Sequence, residues 1–401
     1  MAQLRSKRIG FAVLTSLATA ALVGGLTALP AQAAPAEGRV LAADSPAAIK
    51  DSYLVTLKKS AGLKAASAAG KGLVKEYGGS VDRTFGKALN GYSATLSATE
   101  ARRLAADPAV ASVEQNQRVG LAATQTNAPW GLDRIDQASL PLSGTYTYPD
   151  SAGSGVTVYV IDTGVRITHQ QISGRAAHGY DAVDGDSNAS DGNGHGTHVA
   201  TTIAGSTYGV AKKAKIVGVR VLNNSGSGTT AGVIAGIDWV TRNHSGPSVA
   251  NMSLGGGASA TLDTAVRNSI ASGVTYAVAA GNSSTTASSS SPARVAEAIT
   301  VGATTSTDAK ASYSNYGSAL DIFAPGSSIT AGWHTGDTAT NTISGTSMAT
   351  PHVAGAAAVY LAGHTSSTPA QVAAALVNGA VTGKVTSAGS GSPNRLLQLV
   401  Q

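Results

Sequence analysis

Apolar and polar positions follow two different rhythms along the chain, and the rhythm changes near residue 149. In the earlier part, "DSYLVTL" (51–57) alternates as a half-buried strand does. "LKAASAAGKGLVKEYGG" (63–79) has helical composition and closes on glycine. "SVDRTF" (80–85) and "GYSATLS" (91–97) read as strands, and "VASVEQN" (110–116) as a third. Between them "TEARRLAADP" (99–108) predicts a helix with Thr99 as its N-cap. The resulting order, βαββαβ, is that of a compact ferredoxin-like α+β unit over residues 35–122. "QRVGLAATQ" (117–125) shows no periodicity and reads as an accessible linker.

From residue 149 onward, strand and helix patterns alternate. "GVTVYVID" (155–162) is almost continuously apolar, as expected of a parallel strand covered on both faces. Further strands are expected at "KIVGVRVL", "SVANMSLGG", "VTYAVAAGN", "AITVGAT" and "LDIFAPG". Helices are expected at "HGTHVATTIAG", "TAGVIAGIDWVTRNH", "TLDTAVRNSIASG", "TSMATPHVAGAAAVYLAG" and "TPAQVAAALVNGA". This is the pattern of a doubly wound, mostly parallel α/β sheet. The serine-rich "SSTTASSSS" (283–291) reads as a mobile surface loop, and no internal repeat is visible.

Composition sharpens this picture. The first 34 residues carry Arg5, Lys7 and Arg8, then an apolar run from Ile9 to Leu29, then "AQA" at 31–33, which is the layout of an export signal. No later segment is long and apolar enough to span a bilayer, so a secreted protein without membrane attachment is expected. The chain has no Cys, which excludes disulfides, thiol nucleophiles and thiolate metal sites. The net charge of +6 suggests a polyanion partner only until it is localised. Residues 1–122 hold 15 Lys/Arg against 8 Asp/Glu, whereas residues 123–401 hold 13 against 14. The basic excess lies outside the α/β part, so a nucleic-acid partner is not expected.

Candidate chemistry follows from position. Ligands of an open parallel sheet bind beyond the carboxyl ends of its strands. Asp162 ends "VTVYVID", Asn282 ends "VTYAVAAGN", His195 lies in the glycine-flanked "GNGHGTH", and Ser347 opens the helix of "GTSMATPHVAG". An Asp, a His and a Ser are the parts of a nucleophile activated by a general base. Taken alone they are a weak signal in a chain of this length.

The surrounding motifs are specific. "VIDTGV", "GHGTHVA" and "GTSMATPHVAG", with "APWGLDRIDQ", "NMSLGGG", "AVAAGN", "SNYGS" and "SPNRLL", resemble the subtilisin-like serine peptidases, more narrowly the proteinase K and aqualysin branch, across residues 123–401. The resemblance implies a serine endopeptidase acting through an acyl-enzyme. Asp162 would orient, His195 would act as base and acid, Ser347 as nucleophile, and Asn282 with the Ser347 N–H would form the oxyanion site.

The resemblance further implies two walls of a primary side-chain pocket. Ser253, Leu254 and Gly255 would form one, and Ala279, Ala280 and Gly281 the other, giving a slot for hydrophobic, aromatic or small apolar residues with no buried acid or base. Gly226, Ser227 and Gly228 lie in "NSGSGTT" (224–230), which resembles the edge strand that pairs with extended substrate. One or two structural calcium ions are implied. The first would be held by Asp321 with the carbonyls of Ala296 and Ala298, the second by Asp133, Asp136 and Gln137 on one helical face. The acidic residues Asp181, Asp184 and Asp186 read as solvated, His198 and His352 as structural, and Ser344 and Thr346 as capping groups. Residues 35–122 resemble an inhibitory propeptide that is an intramolecular partner, removed by a cut near Ala122–Ala123. A monomer acting on protein and peptide substrates is expected, with no organic cofactor. The competing classes are an inactive relative that only binds peptides and an acid peptidase with a Glu base. Zinc held by His195 and His198 is disfavoured because no third ligand has suitable spacing.

Overall fold

The computed structural model describes residues 35–43, 48–117 and 122–400, so the export segment expected at 1–34 lies outside the described residues. The chain divides into two compact units, one in the N-terminal part and one covering most of the remainder.

In the first unit, β1 (Val40–Leu41), β2 (Ala48–Leu57), α1 (Ala68–Glu76), β3 (Ser80–Phe85), β4 (Gly91–Thr95), α2 (Ala98–Ala105) and β5 (Val110–Gln117) follow in order. The sheet order is β1-β5-β2-β4-β3, so the expected βαββαβ unit is present with one short parallel strand added at its edge. Tyr53, Val55 and Leu57 alternate inward and meet Leu73, Val74, Ala101 and Leu104 from the two helices. One cap differs from expectation. Ser97, not Thr99, is the N-cap of α2, because Ser97 and Glu100 form a reciprocal capping box that fixes the start earlier.

The second unit begins with β6 (Ala122–Thr126), α3 (Trp130–Ile135), β7 (Thr145–Pro149), β8 (Thr157–Asp162), β9 (Ala176–Asp181), α4 (His195–Ala204) and β10 (Lys215–Arg220). It continues through α5 (Thr230–Asn243), β11 (Ser248–Met252), β12 (Gly256–Gly257), α6 (Ala260–Ala271), β13 (Thr275–Ala279), β14 (Ser290–Ser291) and β15 (Ile299–Thr304). It closes with β16 (Ile322–Pro325), β17 (Ile329–Gly332), β18 (Thr340–Ile343), α7 (Thr346–Gly363), α8 (Pro369–Gly379), β19 (Val381–Thr382) and β20 (Arg395–Leu396). Its main sheet has the order β19-β20-β16-β15-β13-β11-β8-β10-β9, with parallel pairing from β20 through β9. Side chains from Val158 to Asp162 are buried on both faces of β8, which is why that strand reads as an unbroken apolar run. Helices α4 and α7 pack on one face around Val199, Ile203, Met348 and Val353. Helices α5 and α6 cover the other through Val233, Ile237, Leu262 and Val266. The expected doubly wound α/β sheet is therefore present. Among the described residues no helix is long and apolar enough to cross a membrane.

Several local expectations change. The linker 117–125 is not free throughout, because Ala122–Thr126 pairs antiparallel with β7, Ala123 lying opposite Tyr148. The serine-rich stretch 283–291 lies largely at the surface as expected, but it is not without regular structure. Ala287 is fully buried, and Ser290–Ser291 pairs with Gly256–Gly257. "DRIDQ" does not present one helical face, since α3 ends at Ile135 and leaves Asp136 as its C-cap. The end of α3 is tied down instead by Arg134, fully buried and bidentate to Asp308 at 2.6 and 3.0 Å. Asp181 is not solvated either. It is fully buried against Arg220 at 2.6 Å, while Asp184 on the same guanidinium remains largely exposed.

Candidate active site

The site lies where the carboxyl ends of β8 and β13 meet the N-termini of α4 and α7. Asp162, the last residue of β8, is fully buried, and its Oδ1 accepts from Nδ1 of His195, the first residue of α4, at 2.7 Å. That bond places the proton on Nδ1 and leaves Nε2 as the basic nitrogen. Asp162 Oδ1 also accepts from Thr163 N–H at 2.7 Å, while Oδ2 is buried without a partner. A carboxylate in that setting gains most from a cation beside it. Burial favours the neutral imidazole of His195, but the Asp162 charge and hydrogen bond, with the charge of Asp191, hold its pKa above the ordinary value.

The loop before His195 is organised by a residue that the sequence reading missed. Asp191 Oδ1 accepts from Thr163 Oγ1 and from the N–H groups of Asn193 and Gly194, each at 2.9 Å. Its Oδ2 accepts from Thr197 N–H at 2.9 Å and from Thr197 Oγ1 at 2.6 Å. Asp191 thus caps the first turn of α4 from outside the helix and supplies negative charge to its positive end. The signal in the sequence was an Asp in the turn-forming "SDGNG" just ahead of a helix. The glycines beside His195 serve close packing rather than room for the ring. A Cβ at Gly194, which has φ +112°, would enter the Trp333 ring, and one at Gly196 would strike the Gly164 carbonyl.

Ser347 is the second residue of α7, in which six of the fourteen buried positions are Ala or Gly. Pro351 inside that helix has no N–H for the Ser347 carbonyl four residues back. Ser253 Oγ donates to this freed carbonyl at 2.8 Å and accepts from Asn251 Nδ2 at 2.9 Å. In return Ser347 Oγ donates to the Ser253 carbonyl at 3.0 Å, so the hydroxyl rests there rather than on His195 Nε2. Hydrogen bonds between a nucleophile and its base are often unformed before substrate binds and tighten only then.

Asn282 Oδ1 accepts from both Thr346 N–H at 2.8 Å and Thr346 Oγ1 at 2.9 Å. This fixes the amide so that Nδ2 faces the helix mouth. A Cβ built on Gly345 would lie 3.5 Å from Asn282 Nδ2 and 3.6 Å from Ser347 N, so two donors converge on one small space. Thr346 and Ser344 are not caps, contrary to expectation. Thr346 Oγ1 serves Asn282 and Ser344 Oγ accepts from Ser328 N–H, while the N-cap is Gly345.

A cavity of about 270 Å³ opens beside Ser347 and Asn282, walled by Leu254, Gly255, Ala279 and Gly281. Ala280, also expected there, is fully buried and does not line it, and Ser253, largely buried, lines the neighbouring larger cleft instead. No lining side chain is charged, though Ser283, Ser290 and Asn315 add polar atoms. His195 lines a larger cleft of about 590 Å³ together with Gly226, Ser227, Gly228, Leu222, Val233 and Leu262. Segment 224–230 is an exposed turn that enters α5 at Thr230, not a strand, because Asn223 Oδ1 accepts from the N–H groups of Ser225 and Ser227 and folds the segment back on itself. His198 and His352 are buried, and burial pushes both pKa values down to about 4, so they stay neutral.

The proposed metal ligands differ in fit. Burial pushes the Asp321 carboxyl up to about 6, against the opposing bond from Thr300 N–H at 2.8 Å and the charge of Arg395. A desolvated carboxylate of this kind fits a hard cation. Asp133 and Gln137 are otherwise engaged. Asp133 accepts from Ser143 N–H, Ser143 Oγ and Gly144 N–H, and Gln137 donates to the carbonyls of Ser139 and Pro141. Only Asp136 Oδ1 is a buried oxygen without a partner there. Among the described residues no three His, Asp or Glu side chains gather as a metal centre.

An Asp-oriented imidazole, a nearby hydroxyl and two convergent N–H donors can pass an acyl group to the hydroxyl. The subtilase family pattern matches residues 153–397, and the peptidase inhibitor I9 pattern matches residues 40–122. An extracellular serine proteinase of Thermus sp. (strain Rt41A) is 51% identical over 386 residues, 92% of this chain and 94% of that one. Alkaline serine exoprotease A of Vibrio alginolyticus is 53% identical over 79% of this chain and 60% of its own length. The crystal structure of a cold-adapted subtilisin-like serine proteinase superposes with a TM-score of 0.67 at 57% identity, covering 69% of this chain and all of the other.

Proposed function

The chain belongs to the subtilase family, and from that premise we propose that Asp162, His195, Ser347 and Asn282 carry out its peptide-bond hydrolysis. It is an extracellular serine endopeptidase with an I9 propeptide inhibitor domain. The observation that carries the residue assignment is the 2.7 Å Asp162–His195 bond beside the paired donors of Asn282 and Ser347.

In the proposed reaction His195 Nε2 takes the hydroxyl proton as Ser347 Oγ bonds to the scissile carbonyl carbon. The carbonyl electron pair moves onto oxygen, where Asn282 Nδ2 and Ser347 N–H receive it. Collapse expels the amine, which takes the proton from His195 and leaves an acyl-serine that water cleaves by the same steps. Asp162 remains ionised and stabilises the imidazolium. Loss of one side-chain donor to the oxyanion costs about 10²–10³ in kcat in this peptidase class.

Substrate lies extended across the cleft lined by Gly226–Gly228 and Ser253–Gly255, pairing with their backbone by β-augmentation once the turn at 224–228 opens to an extended edge, and places a hydrophobic, aromatic or small apolar side chain in the uncharged cavity. A peptide panel cleaved mainly after Arg or Lys would refute this preference. The signal is assigned to residues 1–34, the propeptide to 35–122 and the peptidase to 123–401, a boundary supported by the end of the inhibitor match at residue 122. N-terminal sequencing of secreted protein is expected to begin at Ala123. Calcium is proposed at Asp321 with the carbonyls of Ala296 and Ala298, and a second ion at Asp133, Asp136 and Gln137. Bound there, calcium would offset the desolvated carboxylate charge and tie together the segments that carry it. Calcium-dependent melting that is lost in D321N and kept in D136N would assign the first site alone.

The central experiment compares casein digestion by wild type and Ser347→Ala, with labelling by a sulfonyl fluoride. Digestion is expected to fall by more than about 10³-fold and labelling to disappear. Retained digestion would refute the assignment.

A further inference from the structure

Asn282 supplies a side-chain donor, yet it sits in an irregular segment where neither helix nor sheet fixes the backbone. Something else must hold the segment still, because an oxyanion donor works only when its position is set before the reaction. One buried residue, far along the chain, touches both sides of Asn282.

Asn315 is 3% exposed and follows β15 in the "SNYGS" turn. Its backbone N–H donates to the Gly281 carbonyl at 2.9 Å. Its Nδ2 donates to the Ala280 carbonyl at 2.8 Å. Its Oδ1 accepts from the N–H groups of Ser283 at 3.0 Å and Thr285 at 3.1 Å. Four hydrogen bonds from one residue therefore bracket Asn282, two before it and two after. The neighbours extend the same seam: Ser284 N–H donates to Tyr313 O, and Tyr316 N–H to Thr285 O. Gly281, at φ +101°, permits the approach, since a Cβ there would occupy the space of Asn315 Nδ2. The amide is the one side chain suited to this place, because it presents a donor to one carbonyl and an acceptor to two N–H groups at once. Asn315 also borders the cavity beside Ser347.

We propose that Asn315 is the positioning residue of the oxyanion site, acting through Asn282 by clamping the segment 280–285 on both sides of it. The proposal rests on the assignment of Asn282 made above. It separates two roles that mutation of a pocket residue would otherwise confuse. A residue that shapes the cavity alters KM across substrates, whereas one that aims a transition-state donor lowers kcat and leaves KM nearly unchanged.

The test uses processed enzyme, its active sites titrated with a sulfonyl fluoride, and a chromogenic peptide amide. Wild type, N282A, N315A and the N282A/N315A double variant are compared. N315A is expected to lower kcat by about 10- to 100-fold, below the full cost of losing a donor, with KM within about threefold. The double variant is expected to match N282A within about threefold, because a clamp has nothing to aim once the donor is gone. Affinity for a peptide aldehyde, which forms a tetrahedral adduct, is expected to fall in parallel with kcat.

Should N315A fail to fold, N315D keeps the acceptor for Ser283 and Thr285 and sets an oxygen against the Ala280 carbonyl. The same loss and the same non-additivity are expected of it. Unchanged kcat in N315A, or losses that multiply in the double variant, would overturn the positioning role while leaving Asn282 in place. An N282A variant with unchanged kcat would overturn the assignment of Asn282 and this proposal with it.

Discussion

Asp191 carries five hydrogen bonds and a negative charge directly behind the imidazole that must act as base. The two effects separate by pH. Only neutral His195 can accept the serine proton, so kcat/KM falls as pH drops through the pKa of His195. That pKa is held up by Asp162 and Asp191 against the opposing effect of burial. Removing the Asp191 charge must lower it and extend activity to more acidic solution. Asp191→Asn is therefore expected to move the acid limb of the kcat/KM profile to lower pH while the plateau also drops, because the amide can serve fewer of the five donors. A plateau loss with an unmoved acid limb would show that Asp191 is only a cap. The same scale explains the uneven legibility of the site. Asp162, His195 and Ser347 could be read because each ends a strand or lies at the start of a helix in a specific motif, and Asn282 because it follows a strand in one. Asp191 and Asn315 could not, because their roles lie in hydrogen bonds made to backbone groups, which leave no periodic trace.

The elements around the site were readable where burial was two-sided or strongly amphipathic. Strands β8, β10, β11, β13, β15 and β16 and helices α4 to α8 all appeared as apolar runs or helical patterns. The strands β6, β7, β9, β17 and β18 did not, since each lies at an edge or in a two-stranded ribbon and all but β17 are only partly buried. The serine-rich 283–291 was only partly legible because composition reports solvation preference and not the backbone bonds it makes with β12 and Asn315. Helix α7 shows what the small residues contribute. A Cβ on Gly355 would lie 2.6 Å from Val210 Cβ and 3.3 Å from the Ile203 carbonyl, so α7 approaches α4 and the connection that follows it too closely for any side chain there. Gly355→Ala gains about 1 kcal/mol of helix propensity but overpacks a dry contact by about 1–3 kcal/mol. A lowered melting temperature is expected, with part of it recovered when Val210→Ala is added. Independent, additive effects of the two substitutions would contradict this packing account.

At the scale of the whole molecule, a chain with no Cys must hold the β6–β7 ribbon to the connection after α4 by packing and polar contacts alone. Lys212 is central to one such contact. Its Nζ lies 5.4 Å from the ring centres of Tyr146 and Tyr148 on β7 and donates to the carbonyls of Thr207 and Gly209. Gln125 on β6 donates to the same Thr207 carbonyl at 3.1 Å. The rings and carbonyls favour the ammonium form, but burial, aided by the charge of Arg175, outweighs them and pushes the pKa down to about 7. In the unfolded chain this lysine keeps its ordinary value of about 10.4. Between those limits the unfolded state binds a proton that the folded state releases, so folding stability must rise with pH across that window. Below pH 7 the full penalty of a buried ammonium is present, and above the ordinary lysine value it is absent. Lys212→Met keeps the stem against the tyrosines without the titrating group. In enzyme blocked by a sulfonyl fluoride to prevent self-digestion, denaturant midpoints of wild type should climb from pH 7 to pH 10 more steeply than those of Lys212→Met. Parallel curves would mean that the ammonium is stabilised where it lies, and that alkaline stability has its source elsewhere in the fold.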